Sequence, residues 1–131
     1  MKTPKRKTDR LSERNRELLA RGVTGIFDFW ELRAEARRTL LGFKRGDWML
    51  EALIAGAPLS ADPEVLERAG HITAIYKSLG ILAPRNPEYT RQWMTSRNRA
   101  FNGMTPLKVV EKQGLVGLKL LRAYLDHACS Q

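Results

Sequence analysis

The feature that most restricts the fold of this sequence is a helix-start pattern that occurs three times in its second half. The segments Asp62-Pro63-Glu64, Asn86-Pro87-Glu88 and Thr105-Pro106 each place a capping side chain immediately before a proline. Such a cap accepts a hydrogen bond from an unpaired backbone N–H, and a proline at the first helical position removes no donor that the helix uses. We therefore predict helices that begin at residues 63, 87 and 106.

Apolar residues between these starts recur every three or four positions, which is typical of helices with one buried face. The pattern predicts helices over residues 63–82, 87–96, 106–113 and 115–128, with Gly114 ending the third. The stripe of the first of these helices consists of Val65, Leu66, Ala69, Ile72, Ile75, Tyr76, Leu79 and Leu82. In the last helix, Leu115, Leu118, Leu121 and Leu125 are expected to face inward, with Leu120 and Tyr124 beside them.

The first half of the chain is also predicted to be helical. We expect helices over residues 11–21, ending at Gly22, and over residues 23–30, 34–41 and 47–55. No segment alternates apolar and polar residues over the length of a strand. The sequence therefore predicts an all-α fold, in which N-terminal helices pack against a C-terminal domain of four helices.

Residues 34–55 resemble a helix-turn-helix, because two short helices flank a glycine turn at Gly42. Cations near this turn are suitable for phosphate contacts, and the candidates are Arg37, Arg38, Lys44 and Arg45. The second helix, however, offers two acids and six apolar residues over residues 47–54 instead of the donors that read bases. Both a working DNA reader and a degenerate, structural helix-turn-helix remain open.

The net charge of +9 is concentrated at the N-terminus, where residues 1–16 hold seven basic and two acidic side chains. Such a basic arm attracts phosphate backbones, and Lys5, Arg6 and Lys7 are its candidate DNA contacts. A solvated tail without a partner is the alternative. The predicted organisation is a flexible arm over residues 1–16, a helix-turn-helix-like domain over 17–60 and a helical domain over 61–131.

Composition excludes several functional classes. A single cysteine, Cys129, forms no intrachain disulfide. Because the N-terminal residues lack the apolar core of a signal peptide and no apolar run reaches the length of a membrane span, we expect neither feature. We therefore expect a cytoplasmic protein. His71 and His127 are far apart and belong to no metal or catalytic motif, so we expect no cofactor, no metal ion and no enzymatic activity.

The segment from Trp93 to Pro106 has the composition of a contact surface, because it combines arginines, amides and aromatics with no acid. Within it, Arg97 and Arg99 are candidates to pair with acids of a partner, and Asn98 and Asn102 to contact its backbone. Phe101 looks exposed and is either an interface anchor or a core residue. Asn98 could instead cap the loop internally, and Trp93 is expected in the core.

The C-terminal half also carries a family resemblance. Its motifs are Glu67-Arg68, Ile75-Tyr76-Lys77-Ser78-Leu79, Trp93-Met94, Arg97-Asn98, Phe101-Asn102-Gly103, Thr105-Pro106-Leu107, Gly117-Leu118 and Arg122-Ala123-Tyr124-Leu125-Asp126. On these residues the segment 63–127 resembles the toxin-binding domain of the Xre/MbcA/ParS-like antitoxins. The N-terminal half looks like the Xre-type helix-turn-helix that often precedes this domain.

The resemblance implies an antitoxin of a type II toxin–antitoxin pair. Its expected partner is a RES-domain toxin that destroys NAD, which the antitoxin inhibits by covering the active-site entrance. The resemblance also implies a homodimer and binding to promoter DNA. The expected toxin-binding residues are Arg97, Asn98, Arg99, Phe101, Asn102, Tyr124 and Asp126. The alternative is a stand-alone DNA-binding regulator whose C-terminal half dimerises.

Overall fold

The computed structural model describes residues 12–131, and all regular structure within them is helical, which confirms the predicted all-α class. The helices are α1 (Glu13–Phe29), α2 (Ala34–Leu41), α3 (Met49–Ile54), α4 (Pro63–Leu82), α5 (Pro87–Gln92) and α6 (Pro106–Cys129). Two 3-10 turns, Trp93–Thr95 and Arg99–Phe101, lie between α5 and α6. No helix in the described part of the chain is long and apolar enough to cross a membrane.

The three predicted helix starts are confirmed, and each is capped as expected. The side chains of Asp62, Asn86 and Thr105 accept hydrogen bonds from backbone N–H groups of the following turn, at 2.9, 3.1 and 3.0 Å. The predicted break at Gly114 is also observed, because its φ of 59° and ψ of −133° are not helical. The helix α6 therefore consists of two segments that meet at this glycine.

The predicted break at Gly22 is wrong, because α1 runs through it as one helix. Ala20, Val23 and Phe27 form a continuous buried stripe across this position, each at most 2% exposed. A glycine inside a helix costs about 1 kcal/mol, which is less than the burial of these side chains returns. Residues 13–16, predicted to end the basic arm, form the first turn of α1, and residues 1–11 lie outside the described part.

Helix α4 lies at the centre of the fold and packs against α1, α2 and α6. The predicted stripe is buried at Val65, Ala69, Ile72, Ile75 and Leu79. Tyr76 and Leu82, predicted to belong to the same stripe, are instead 40% and 39% exposed. Their spacing follows the helical period, but they lie at the edge of the stripe, and Tyr76 is covered only in part, by the rings of Phe29 and Trp30 at the end of α1.

Arg68 connects the N-terminal helices to the C-terminal ones. Its buried guanidinium donates to the carbonyl oxygens of Thr39 and Leu40 at the end of α2, at 3.2 and 3.4 Å. Its Nε also donates to Glu64 Oε2 at 3.0 Å. Since the last carbonyls of a helix lack intrahelical partners, Arg68 caps α2 from α4 and ties both halves into one hydrophobic core.

Candidate functional site

The loop between α5 and α6 is organised around Asn98. Its backbone N–H donates to Met104 O at 3.1 Å, and its carbonyl oxygen accepts from the N–H groups of Phe101 and Gly103, both at 3.0 Å. Its side-chain oxygen accepts from Ala100 N at 2.9 Å. Of the two roles open to Asn98, internal capping of the loop is therefore the one that the structure displays.

Asn102 and Gly103 form the tip of this loop. Both have positive φ angles, 58° and 80°, and Met104 N donates to Phe101 O at 3.0 Å across them. Two consecutive positive φ angles define a type I′ turn, for which Asn-Gly is the preferred dipeptide. The side chain of Asn102 is exposed at the tip, where it is free to contact a partner.

Of the two roles left open for Phe101, interface anchor and core residue, the structure shows the second. Phe101 is 6% exposed and packs between Trp93, with ring centroids 6.2 Å apart, and Tyr124, at 5.2 Å. Trp93 is itself 5% exposed, as predicted for a core residue. Phe101 therefore supports the loop from beneath and orients Tyr124, and its ring is not available as an exposed anchor.

Arg97 and Arg99 extend from the loop into solvent. Neither guanidinium makes an ion pair or a hydrogen bond with any residue in 12–131. The two arginines border a groove of about 370 Å³ whose other walls are Tyr89, Gln92, Trp93, Ser96 and Asn98. Two unpaired guanidinium groups at the border of a groove are suited to bind carboxylates of a partner.

An exposed apolar row on α6 adjoins this loop, and Tyr124 is the member of it that was predicted to bind the toxin. Val116, Leu120 and Tyr124 follow one another at i, i+4 spacing and are 64%, 42% and 40% exposed. Leu120 and Tyr124 had been expected beside the buried stripe. The contact between Tyr124 and Phe101 joins the row to the loop. We call the surface formed by Arg97, Arg99, Val116, Leu120 and Tyr124 the loop–α6 face.

Asp126 lies on the other side of α6 and does not join this face. It is two positions from Tyr124, which corresponds to roughly 200° around a helix. Its Oδ2 lies 3.8 Å from Arg122 Nε, and Arg122 Nη1 lies 3.2 Å from His71 Nδ1 on α4. The structure therefore separates Asp126 from the other predicted toxin-binding residues.

The surface between α4 and α6 on that side carries an ionic cluster around Glu67. His71 Nε2 lies 3.0 Å and Lys119 Nζ 3.3 Å from Glu67 Oε2. The hydrogen bond from His71, followed by that from Lys119, holds the pKa of Glu67 below its ordinary value. The resulting stabilisation is present above that ordinary value and is lost as the pH falls. Because Glu67 is exposed, the cluster contributes little to the free energy of unfolding. It forms a surface link between α4 and α6.

Arg37 and Arg38, predicted to contact phosphates, are held by internal partners. Arg37 donates to Leu32 O at 2.9 Å and pairs with Asp28 Oδ1 at 2.9 Å. Arg38 is 6% exposed and pairs with the carboxylates of Glu35 and Glu51. These contacts brace α2 against α1 and α3, so the two guanidinium groups predicted to contact phosphates are engaged within the N-terminal helices.

Lys44 and Arg45, the other candidates in this region, are exposed in the turn before α3 and have no partner among the described residues. Lys5, Arg6 and Lys7 lie outside the described residues. The turn spans residues 42–48, longer than the roughly three or four residues of a helix-turn-helix, and α3 has only six residues. This helix buries Leu50 and Leu53 and exposes Ile54.

No three His, Cys, Asp or Glu side chains in residues 12–131 are arranged to hold a metal ion.

Comparison with known proteins places the loop–α6 face in a segment that resembles a known domain. No curated protein matches the chain. Residues 78–128 match the family model described as the antitoxin Xre/MbcA/ParS C-terminal toxin-binding domain, which confirms the resemblance to these antitoxins for that segment.

Proposed function

We propose that this protein is the antitoxin of a type II toxin–antitoxin pair and that it neutralises a RES-domain toxin, which degrades NAD, by covering its active-site entrance. The observation that carries the proposal is the loop–α6 face, which combines two unpaired arginines with an exposed apolar row. All five of its residues lie inside the segment that matches the toxin-binding family model. The antitoxin itself performs no chemistry and acts by steric exclusion.

The composition of this face is that of a protein-binding surface. Apolar side chains that lose contact with water on binding supply most of the affinity, and polar residues at the rim supply orientation. Leu120 and Tyr124 provide apolar contact area, while Arg97 and Arg99 are placed to form bidentate pairs with carboxylates at the rim of the toxin pocket.

The remaining predicted toxin-binding residues take different roles in this proposal. Asn102 contacts the toxin directly from the exposed tip of the loop. Asn98 and Phe101 act indirectly, because their side chains fix the loop and orient Tyr124. Asp126, on the other side of α6, belongs to the periphery of the interface.

The test is a double charge reversal, Arg97→Glu with Arg99→Glu. We expect it to weaken binding of the RES-domain toxin at least tenfold by calorimetry, about 1.4 kcal/mol, because two favourable pairs become repulsive. In cells that produce the toxin, the variant should fail to restore growth and the NAD pool. The thermal midpoint should stay unchanged, since neither side chain has a partner in the described part of the chain.

The matched control is Arg21→Glu with Arg33→Glu. Both arginines are exposed on the N-terminal helices and lack a partner among residues 12–131, so the change in net charge is identical. The control should bind the toxin like the original protein. Equal affinity of both double variants would remove the loop arginines from the interface, and absence of any toxin binding by the unmodified chain would overturn the proposed function.

We further propose that the antitoxin is a homodimer whose toxin complex contacts promoter DNA and represses its own operon. The basic residues of the N-terminus supply the phosphate contacts, because Arg37 and Arg38 are committed to internal partners. The affinity should then fall steeply with salt and depend little on sequence. The short, apolar and acidic α3 favours this reading over a stand-alone regulator that recognises a base sequence.

A further inference from the structure

We propose that the surface of α3 is the contact between two copies of this chain, with Trp48 of each copy inserted into an apolar groove of the other. The groove has a volume of about 340 Å³ and is walled by Phe43, Met49, Ala52, Leu53 and Pro58. The inference rests on the proposed homodimer and specifies where it forms. It involves none of the residues of the loop–α6 face.

The first argument is the exposure of Trp48. This side chain is 73% exposed, whereas the other two tryptophans, Trp30 and Trp93, are 2% and 5% exposed. An indole in water leaves a large apolar area unburied, which marks surfaces that bind another macromolecule. Tryptophan is also among the residues that contribute most to the affinity of protein interfaces.

The second argument is self-complementarity. Trp48 borders the groove, but its indole is exposed and does not fill it. One surface therefore carries both a projecting indole and a groove that can hold the indole of another copy. A two-fold axis brings two such surfaces together with each indole opposite the groove of the other copy. This is the isologous arrangement that most homodimers use.

The third argument is the distribution of charge around Trp48. Lys44 and Arg45 precede it and are unpaired among the described residues, which gives one end of the surface a positive charge. At the other end, Glu35 and Glu51 share the single guanidinium of Arg38, so one negative charge remains uncompensated. A two-fold axis reverses the order of these ends and places cations opposite carboxylates. Duplex DNA would satisfy the cations but would be repelled by the carboxylates.

The experiment uses the full chain and the intrinsic fluorescence of its tryptophans. Sedimentation equilibrium should give a dimer that dissociates on dilution. Over the same range the emission should shift to longer wavelength and acrylamide quenching should increase, because Trp48 alone moves into water. Trp48→Phe should abolish the spectral shift, and Trp48→Asp should weaken self-association at least about thirtyfold, as expected for a hot-spot tryptophan.

The matched control is Ile81→Asp, which removes another strongly exposed apolar side chain, 67% exposed, from a different surface. This variant should dimerise like the original chain. The two interfaces can be tested separately. Trp48→Asp should still bind the toxin, and the Arg97→Glu, Arg99→Glu variant should still dimerise.

Three results would overturn the inference. The chain could sediment as a monomer at every concentration, the dimer could persist in Trp48→Asp, or the spectral shift could occur only on addition of duplex DNA. If circular dichroism shows that Trp48→Asp is unfolded, the test relies on dilution and acrylamide quenching of the original chain. If its dimer dissociates on dilution while emission and quenching stay constant, α3 is not the dimer interface.

Discussion

At the scale of single residues, the position of Arg68 depends on a glycine that faces it. Gly42 ends α2 in the left-handed conformation, with φ 77°. A Cβ at this position would lie 2.7 Å from Arg68 Nε, which is too close for any side chain. The residue therefore satisfies two requirements at once: it adopts a positive φ, and it leaves space for the guanidinium that caps α2.

We predict that Gly42→Ala destabilises the protein more than Gly46→Ala. Gly46 also has a positive φ, 75°, but a Cβ there meets no atom within 4 Å. Gly46→Ala should therefore show only the cost of the left-handed backbone, roughly 1 kcal/mol. Gly42→Ala should cost about 1 kcal/mol more, because it displaces hydrogen bonds of Arg68. Urea unfolding measures both values, and equal losses would contradict this role of Arg68.

Individual residues of the site were only partly predictable from the sequence. The unpaired state of Arg97 and Arg99 agrees with their expected availability, because a loop without acids offers them no local partner. The sequence left Phe101 open between core and interface, since a residue in a 3-10 turn follows no regular period. Its burial depends on Trp93 and Tyr124, which approach it from different elements only in the folded chain.

At the scale of elements, the helix starts marked by a cap and a proline were predicted correctly, whereas features set by packing between helices were not. The starts of α4, α5 and α6 were predicted because a cap and a proline act within a few residues. The run of α1 through Gly22 depends on burial against α4, which local spacing does not reveal. The exposure of Leu120 likewise reflects which faces of α6 the other helices cover.

The close approach of the two segments of α6 leads to a second stability prediction. A Cβ on Gly117 would lie 2.6 Å from the carbonyl oxygen of Val109, which is backbone and cannot rotate away. We expect Gly117→Ala to destabilise the protein by about 1–3 kcal/mol, as overpacking does. It should also weaken toxin binding, because the second segment carries Leu120 and Tyr124.

The matched control for Gly117 is Gly70 on α4, which is helical and has open space around its Cα. Gly70→Ala should stabilise the protein by about 0.5–1 kcal/mol through helix propensity alone. Thermal unfolding of the two variants gives the comparison. A Gly117→Ala variant as stable as Gly70→Ala would show that the two segments of α6 can separate without cost.

At the scale of the whole molecule, the two halves of the sequence share one continuous hydrophobic core. This core runs from α1 to α6, and Arg68 caps α2 from α4. The two proposed interfaces lie on different elements around this core, the toxin surface on α6 and its loop and the self-association surface on α3. One rigid core can hold both surfaces at a constant distance, which suits a dimer that binds two toxins.

This continuity predicts that the chain unfolds in one cooperative transition rather than domain by domain. Trp30 and Trp93 are buried reporters of the N-terminal and C-terminal helices. We compare a variant with Trp48→Phe and Trp93→Phe, which reports from Trp30, with one carrying Trp30→Phe and Trp48→Phe, which reports from Trp93. In each variant the urea midpoint from fluorescence should equal that from circular dichroism, since coincident probes indicate two states. A fluorescence midpoint for Trp30 below the circular dichroism midpoint of the same variant would show that the C-terminal helices fold alone.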